Sequence, residues 1–167
     1  MKLFKIRSRS LLWLGVFVGA TIVAAKVGAS ASRRGPRSLW YRVLAKSKLQ
    51  PPSWVFGPVW ALLYGLMSAS AYRVFASGPS QERRRALRLW WAQLALNGAW
   101  SPLFFGAHSA RWALGDLAAL TATVAAYTRT AAKVDRPAAL MMAPYLGWLG
   151  FAGYLNANIV RRNPALA

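Results

Sequence analysis

Three polar side chains, Gln93, Asn97 and Ser101, recur at intervals of four inside an apolar stretch. On a helix this spacing puts two amides and a hydroxyl on one face, and Trp100 shares that side. Such a face must turn away from lipid, where unpaired polar groups are costly. Helix-to-helix hydrogen bonding and the lining of a ligand site both fit it. Asp116 is the one acid clearly inside an apolar run. An ionisable group there is a functional candidate by default, with pairing to a basic neighbour or an indole N–H as its expected role. One carboxylate without a nearby histidine is no acid–base pair. His108, the sole histidine, falls at a helix junction and reads as a solvated loop residue. Cysteine is absent, which excludes disulfides, thiolate metal sites and a cysteine nucleophile. A single histidine argues against a histidine metal cluster or a Ser-His-Asp triad.

Nine tryptophans remain as potential chemistry. Trp13, Trp40, Trp54, Trp90, Trp91 and Trp112 lie near expected helix ends, where an amphipathic ring suits the headgroup interface. Trp60, Trp100 and Trp148 lie deeper, and there an indole N–H requires a partner or a cavity.

The elements that carry these residues follow from hydropathy. Of 167 residues 56% are hydrophobic, and 22 Lys and Arg stand against only Glu82, Asp116 and Asp135, a net charge of +19. Basic residues cluster at 2–9, 33–48, 83–88, 129–136 and 161–162, between apolar stretches rather than along one helix face. That distribution favours a membrane protein with basic loops over a nucleic-acid binder. Crossing a hydrocarbon core of about 30 Å takes roughly 20 apolar residues. Five runs fit: 11–31, 53–76, 86–106, 111–131 and 137–160. The expected organisation is therefore an all-α integral membrane bundle of five transmembrane helices over 11–163. A basic segment at 1–10 precedes it and a tail at 164–167 follows. The basic start, the apolar core at 11–25 and Ala29, Ser30 and Ala31 also describe a cleavable signal peptide, although Lys26 sits awkwardly in that scheme. Gly15 and Gly19 form a GxxxG, which suits either a homodimer or close packing within the bundle. Basic residues nearly balance between the two sides, 12 against 9, so they leave orientation open.

Several segments resemble one family. SWVFGPVWALLYGLMS at 53–68, AQLALNGAWSPLFFGA at 92–107, WALGDL at 112–117 and PYLGWLGFAGYLN at 144–156 are similar, in order, to signature segments of the TspO family of tryptophan-rich sensory and translocator proteins. LGVFVG at 14–19 and LWYRVL at 39–44 resemble its first helix and first loop. The resemblance implies a five-helix bundle with a cavity under the loop joining helices one and two. It implies porphyrin or haem as ligand, cholesterol or synthetic benzodiazepine-type ligands in many members, dimers in several, and no required cofactor. Carried over by motif, the pocket comprises Phe56, Trp60, Tyr64, Asn97, Trp100, Trp112, Asp116, Trp148, Ala152 and Leu155. A flat tetrapyrrole would stack on such aromatics while its propionates meet basic loop residues.

Departures accompany the match. Lys46, Ser47, Lys48, Leu49 and Gln50 precede Pro51 and Pro52 where the family has Lys-Pro-x-Trp, so the lid lacks an aromatic and a proline. About ten extra residues separate Gly19 from Trp40 relative to the animal pattern. In the sterol motif Leu155, Asn156 and Arg161 fit, but Ala157 replaces a tyrosine, which implies weak cholesterol binding. Three functions follow as expectations. One is a membrane receptor or carrier for tetrapyrroles and sterol-like lipids that senses them or regulates their flux. Another is light-dependent porphyrin degradation through Trp60 and Trp148, the only catalytic assignment the resemblance offers. The third is a structural scaffold.

Overall fold

A computed structural model describes residues 2–33 and 35–166, with side chains described for 11–33, 35 and 37–166. Among the described residues every regular element is helical, without a strand: α1 (Lys2–Ser32), a 3-10 turn (Gly35–Arg37), α2 (Leu39–Val43), α3 (Ser53–Ala76), α4 (Gln81–Ser101), a π-helical turn (Pro102–Gly106), α5 (Ala110–Ala132), α6 (Arg136–Leu140) and α7 (Ala143–Arg162). Residues 2–10 of the basic N-terminal segment thus continue α1, and their side chains lie outside the described set.

Local chemistry sets most helix starts. Ser38, Ser80, Ser109 and Asp135 each accept a hydrogen bond from a backbone N–H three residues on, which satisfies one of the orphan donors at a helix N-terminus. The Ser80 cap starts α4 at Gln81, five residues earlier than the apolar run implies, so Arg83, Arg84 and Arg85 form its first turn. The fifth run is divided rather than continuous. Pro144 has no N–H to extend α6, and the chain turns at Met141–Met142 before α7. Leu11–Ser32, Ser53–Ala76 and Arg136–Arg162 are each long and apolar enough to cross a membrane. α4 and α5 have comparable length but more polar sequences, with arginines, Gln93 and Asn97 on one and Asp116 and four threonines on the other.

α4 and α5 pack along their lengths; α1 covers α4 and α3, α5 meets α7, and α3 meets α6. The main core holds Phe17, Leu63, Met67, Trp90, Leu120, Tyr127, Met142 and Tyr145. Trp90 is wholly buried and donates to the Met67 carbonyl at 3.1 Å. It is therefore a core residue, not the interfacial one its expected place at a helix end suggests. The outer surface is apolar instead: Leu12, Leu62 and Leu140 are each at least 60% exposed. In water such a surface would be a liability; in lipid it is the solvated face.

A second cluster lies under the α1–α3 connection, where Leu44, Phe104, Ala110, Ala113 and Ile159 are buried against Trp40, Tyr41, Trp100 and Phe105. The π turn, closed by Ala107 N–H to the Pro102 carbonyl at 2.8 Å, swings Phe104 and Phe105 beneath this connection. It ends at His108, whose φ of 52° breaks the helix and sets its ring 5.0 Å from that of Trp40. Gly35 lies directly on Phe105, so that a Cβ there would collide with the ring.

Candidate ligand-binding site

Phe56, Trp60 and Tyr64 recur every four residues and so share one stripe of α3. Tyr145 and Trp148, three apart, share a face of α7. The two stripes meet. Trp60 stacks on Tyr64 with centroids 5.1 Å apart, and stands edge-on to Tyr145 at 6.2 Å and to Trp148 at 6.4 Å. Phe56 meets Trp148 at 5.7 Å, and Phe151 extends the row at 5.9 Å. Asn97 of α4 ties the stripes together. Its Oδ1 accepts from the Tyr64 hydroxyl at 2.9 Å and its Nδ2 donates to the Tyr145 hydroxyl at 2.8 Å.

Trp100 joins this site to the cluster under the connection. It packs against both cores and stacks on Phe104 at 4.9 Å with 14° between the ring planes. Its indole Nε1 is buried without a hydrogen-bond partner. Asp116, in the second turn of α5, has a buried Oδ2 that is equally unpartnered, so the expected pairing with a basic or indole group does not form among the described residues. Gln93, one turn from Asn97, is fully buried with neither amide atom paired. The polar face of α4 does turn inward.

The remaining positions separate by environment. Ala152 packs on the main core and Leu155 is buried. Trp112 is 74% exposed at the start of α5 and stands apart from the aromatic cluster. Asn156 belongs to the framework: with its amide oriented to suit its neighbours, it donates to the Ala110 carbonyl and accepts from Leu114 N–H, both at 3.1 Å, binding α7 to α5. Ala157 is half-buried and Arg161 exposed. Tyr145 and Phe151 were not among the motif positions. The signal for Tyr145 was its place three residues before Trp148. No group of three metal-ligating side chains occurs among the described residues.

The connection above the site is held from within. Lys46 Nζ donates to the carbonyls of Tyr41 at 2.7 Å and Leu44 at 2.9 Å and lies 4.6 Å from the Tyr41 ring centroid. Partial burial lowers its ammonium pKa below the usual lysine value.

The fold defines an all-helical, multi-pass integral membrane protein with a row of aromatic side chains packed between α3 and α7. The TspO/MBR family model matches residues 14–162, and the chain belongs to that family. It is 41% identical to the translocator protein of Bos taurus over 151 residues, 87% of this chain and 89% of the relative. It is 33% identical to the tryptophan-rich protein TspO of Chlorobaculum tepidum over 158 residues, 94% and 99% of the two chains. Protein CrtK of Rhodobacter capsulatus is 37% identical over 154 residues, 90% and 94% respectively.

Proposed function

We propose that this chain is a membrane receptor or carrier that binds tetrapyrroles such as protoporphyrin and haem, and sterol-like lipids more weakly, as a sensor or regulator of their flux. The observation that carries the reading is the continuous aromatic lining from Phe56 through Trp60, Tyr64 and Tyr145 to Trp148, with a single amide, Asn97, at its centre. A flat conjugated ring gains most from such surfaces, by stacking and edge contacts worth about 0.5–1.5 kcal/mol per ring beyond area burial. The unpaired Trp100 N–H and Asp116 carboxylate offer a donor and an acceptor to polar groups on a ligand. Basic residues of the connection suit propionates. The name translocator protein among the relatives supports a carrier.

All five long helical stretches cross the bilayer in this reading. At about 1.5 Å per residue, the 21 residues of α4 and the 23 of α5 reach the roughly 30 Å needed. The α4 arginines then sit at the headgroup level. Gly15 and Gly19 meet nothing within 4 Å, so this GxxxG is open for a second copy, and a homodimer is part of the proposal.

The test is titration of the detergent-solubilised protein with protoporphyrin, followed by tryptophan quenching. Saturable quenching at micromolar concentration, roughly 8 kcal/mol, is the expected result. Unsaturable quenching would remove the tetrapyrrole assignment. A second reading, photodegradation of bound porphyrin, is favoured by the contact of Trp60 with Trp148. Illuminated and dark samples compared by absorbance decide it: equal bleaching with and without protein would leave binding alone.

A further inference from the structure

Residues 164–167 read from the sequence as a mere tail, yet Leu166 within it and Asn163 before it hold the connection over the site. Asn163, only 8% exposed, closes α7. Its Oδ1 accepts from Ala45 N–H at 2.9 Å, while its Nδ2 donates to the Ala45 carbonyl at 3.1 Å and to the Ile159 carbonyl at 2.8 Å. One side-chain amide thus pairs with both backbone groups of one residue, and it is itself fixed to the last turn of α7. Arg162 adds a bond to the Lys46 carbonyl at 3.3 Å, and Trp40 Nε1 donates to the Leu166 carbonyl at 3.0 Å. Arg111 of α5 holds the Pro164 carbonyl at 2.6 Å, so the tail is itself anchored. Between these ties Leu44 is buried on Phe104 and Ile159.

The second half of the connection differs. Among the described residues its hydrogen bonds are local, Gln50 N–H to the Ser47 carbonyl at 3.1 Å and Leu49 N–H to Ser47 Oγ at 3.2 Å, and Leu49 is 61% exposed. It runs straight into α3, which carries Phe56 and Trp60.

We infer that Asn163 is a positioning residue for the lid. It fixes residues 40–46 to the bundle and Ser47 is buried beside them, so that the site opens through residues 48–52 alone. The inference rests on the ligand-binding reading for its kinetic consequence but not for its structural one, and the two are measured separately. An Asn amide suits the task because it presents a donor and an acceptor side by side, and both are needed by a peptide group. Leucine keeps the branching at Cγ in a larger volume and has neither.

The absence of cysteine lets single pairs be labelled without background. Spin labels on Arg42→Cys and Arg161→Cys report the anchored half; labels on Leu49→Cys and Arg161→Cys report the free half. With Asn163 present, a narrow distance distribution is expected for the first pair and a broad one for the second. Asn163→Leu should broaden the first. Protoporphyrin association and dissociation, both followed by tryptophan quenching, should each accelerate by up to about 30-fold in Asn163→Leu, the factor that corresponds to the two hydrogen bonds to Ala45 at about 1 kcal/mol each. The dissociation constant should stay nearly constant, because lid release changes both rates together. A narrow first distribution in Asn163→Leu, or unchanged rates beside saturable binding, would overturn the inference. If protoporphyrin does not bind the unsubstituted protein, the ligand reading fails while the distance measurement still decides the anchor.

Discussion

The two ends of the bundle treat buried polar groups in opposite ways. At the end formed by the close of α3, the close of α5 and α6, Ser70, Arg73, Tyr127 and Asp135 are paired with one another or with backbone, and the buried Nε of Arg83, set over the Phe75 ring, is the exception. Ser70 Oγ lies 2.7 Å from both the Tyr127 hydroxyl and the Ala138 carbonyl. Arg73 meets Asp135 with two bonds of 3.0 Å, and Asp135 also caps α6. From the middle of the bundle toward the lid, Gln93, Trp100 and Asp116 keep buried polar atoms unpaired among dense aromatics. Both solutions face the same cost of desolvation. Internal pairing makes a scaffold, whereas unpaired groups beside stacking surfaces make a place for another molecule to be recognised.

Breaking the scaffold end should have the largest effect. Ser70→Ala leaves the Tyr127 hydroxyl and the Ala138 carbonyl without their shared partner, at a cost of about 1–3 kcal/mol in stability. Thermal denaturation in detergent should register it, with protoporphyrin affinity of the folded fraction unchanged. Gly35→Ala should act at the other end, pushing the 3-10 turn off Phe105 at a cost of about 1–3 kcal/mol. Its distinguishing mark is altered ligand kinetics alongside a lower melting temperature.

Gln93→Leu sharpens the contrast. An amide with neither atom paired gains little from its polarity, so the change should be neutral or stabilising, within about 1 kcal/mol. A large loss would mean that the residue is already satisfied by a group inside the bundle. The smallest effect concerns pH. Arg73 beside Asp135 holds that carboxyl below its usual value. A depressed carboxylate contributes stability above the unfolded pKa of about 3.9, and that contribution disappears as pH falls through the folded value. Asp135→Asn should therefore lower stability modestly at neutral pH and flatten the acid limb, the two proteins converging as pH falls below about 3.9. An identical acid limb in the variant would assign that slope to other groups.

Much of the all-helical membrane architecture was legible because apolar run length and basic punctuation follow directly from the bilayer. The Gln93, Asn97 and Ser101 face was legible for a related reason, since spacing of four on a helix is geometry, whereas Phe56, Trp60 and Tyr64 came from the family motif. Trp90 was misplaced because charge alone suggested that α4 begins after the arginines, whereas the Ser80 cap draws them into the first turn. The anchor at Asn163 left almost no signal, since its partners are the backbone groups of Ala45, and every residue carries those. Asp116 is the reverse case: its type and depth marked it as unusual, but its lack of a partner depends on tertiary placement.

The contrast between a paired scaffold and a recognition site is tested most directly by protoporphyrin titration of Trp60→Phe/Trp148→Leu beside Ser70→Ala and the unsubstituted protein. Loss of two aromatic surfaces should weaken binding about tenfold, near 1.4 kcal/mol, without a matching loss of stability, while Ser70→Ala should lower stability at constant affinity. If the double variant binds like the unsubstituted protein, the aromatic row between α3 and α7 is packing, and the ligand site lies elsewhere.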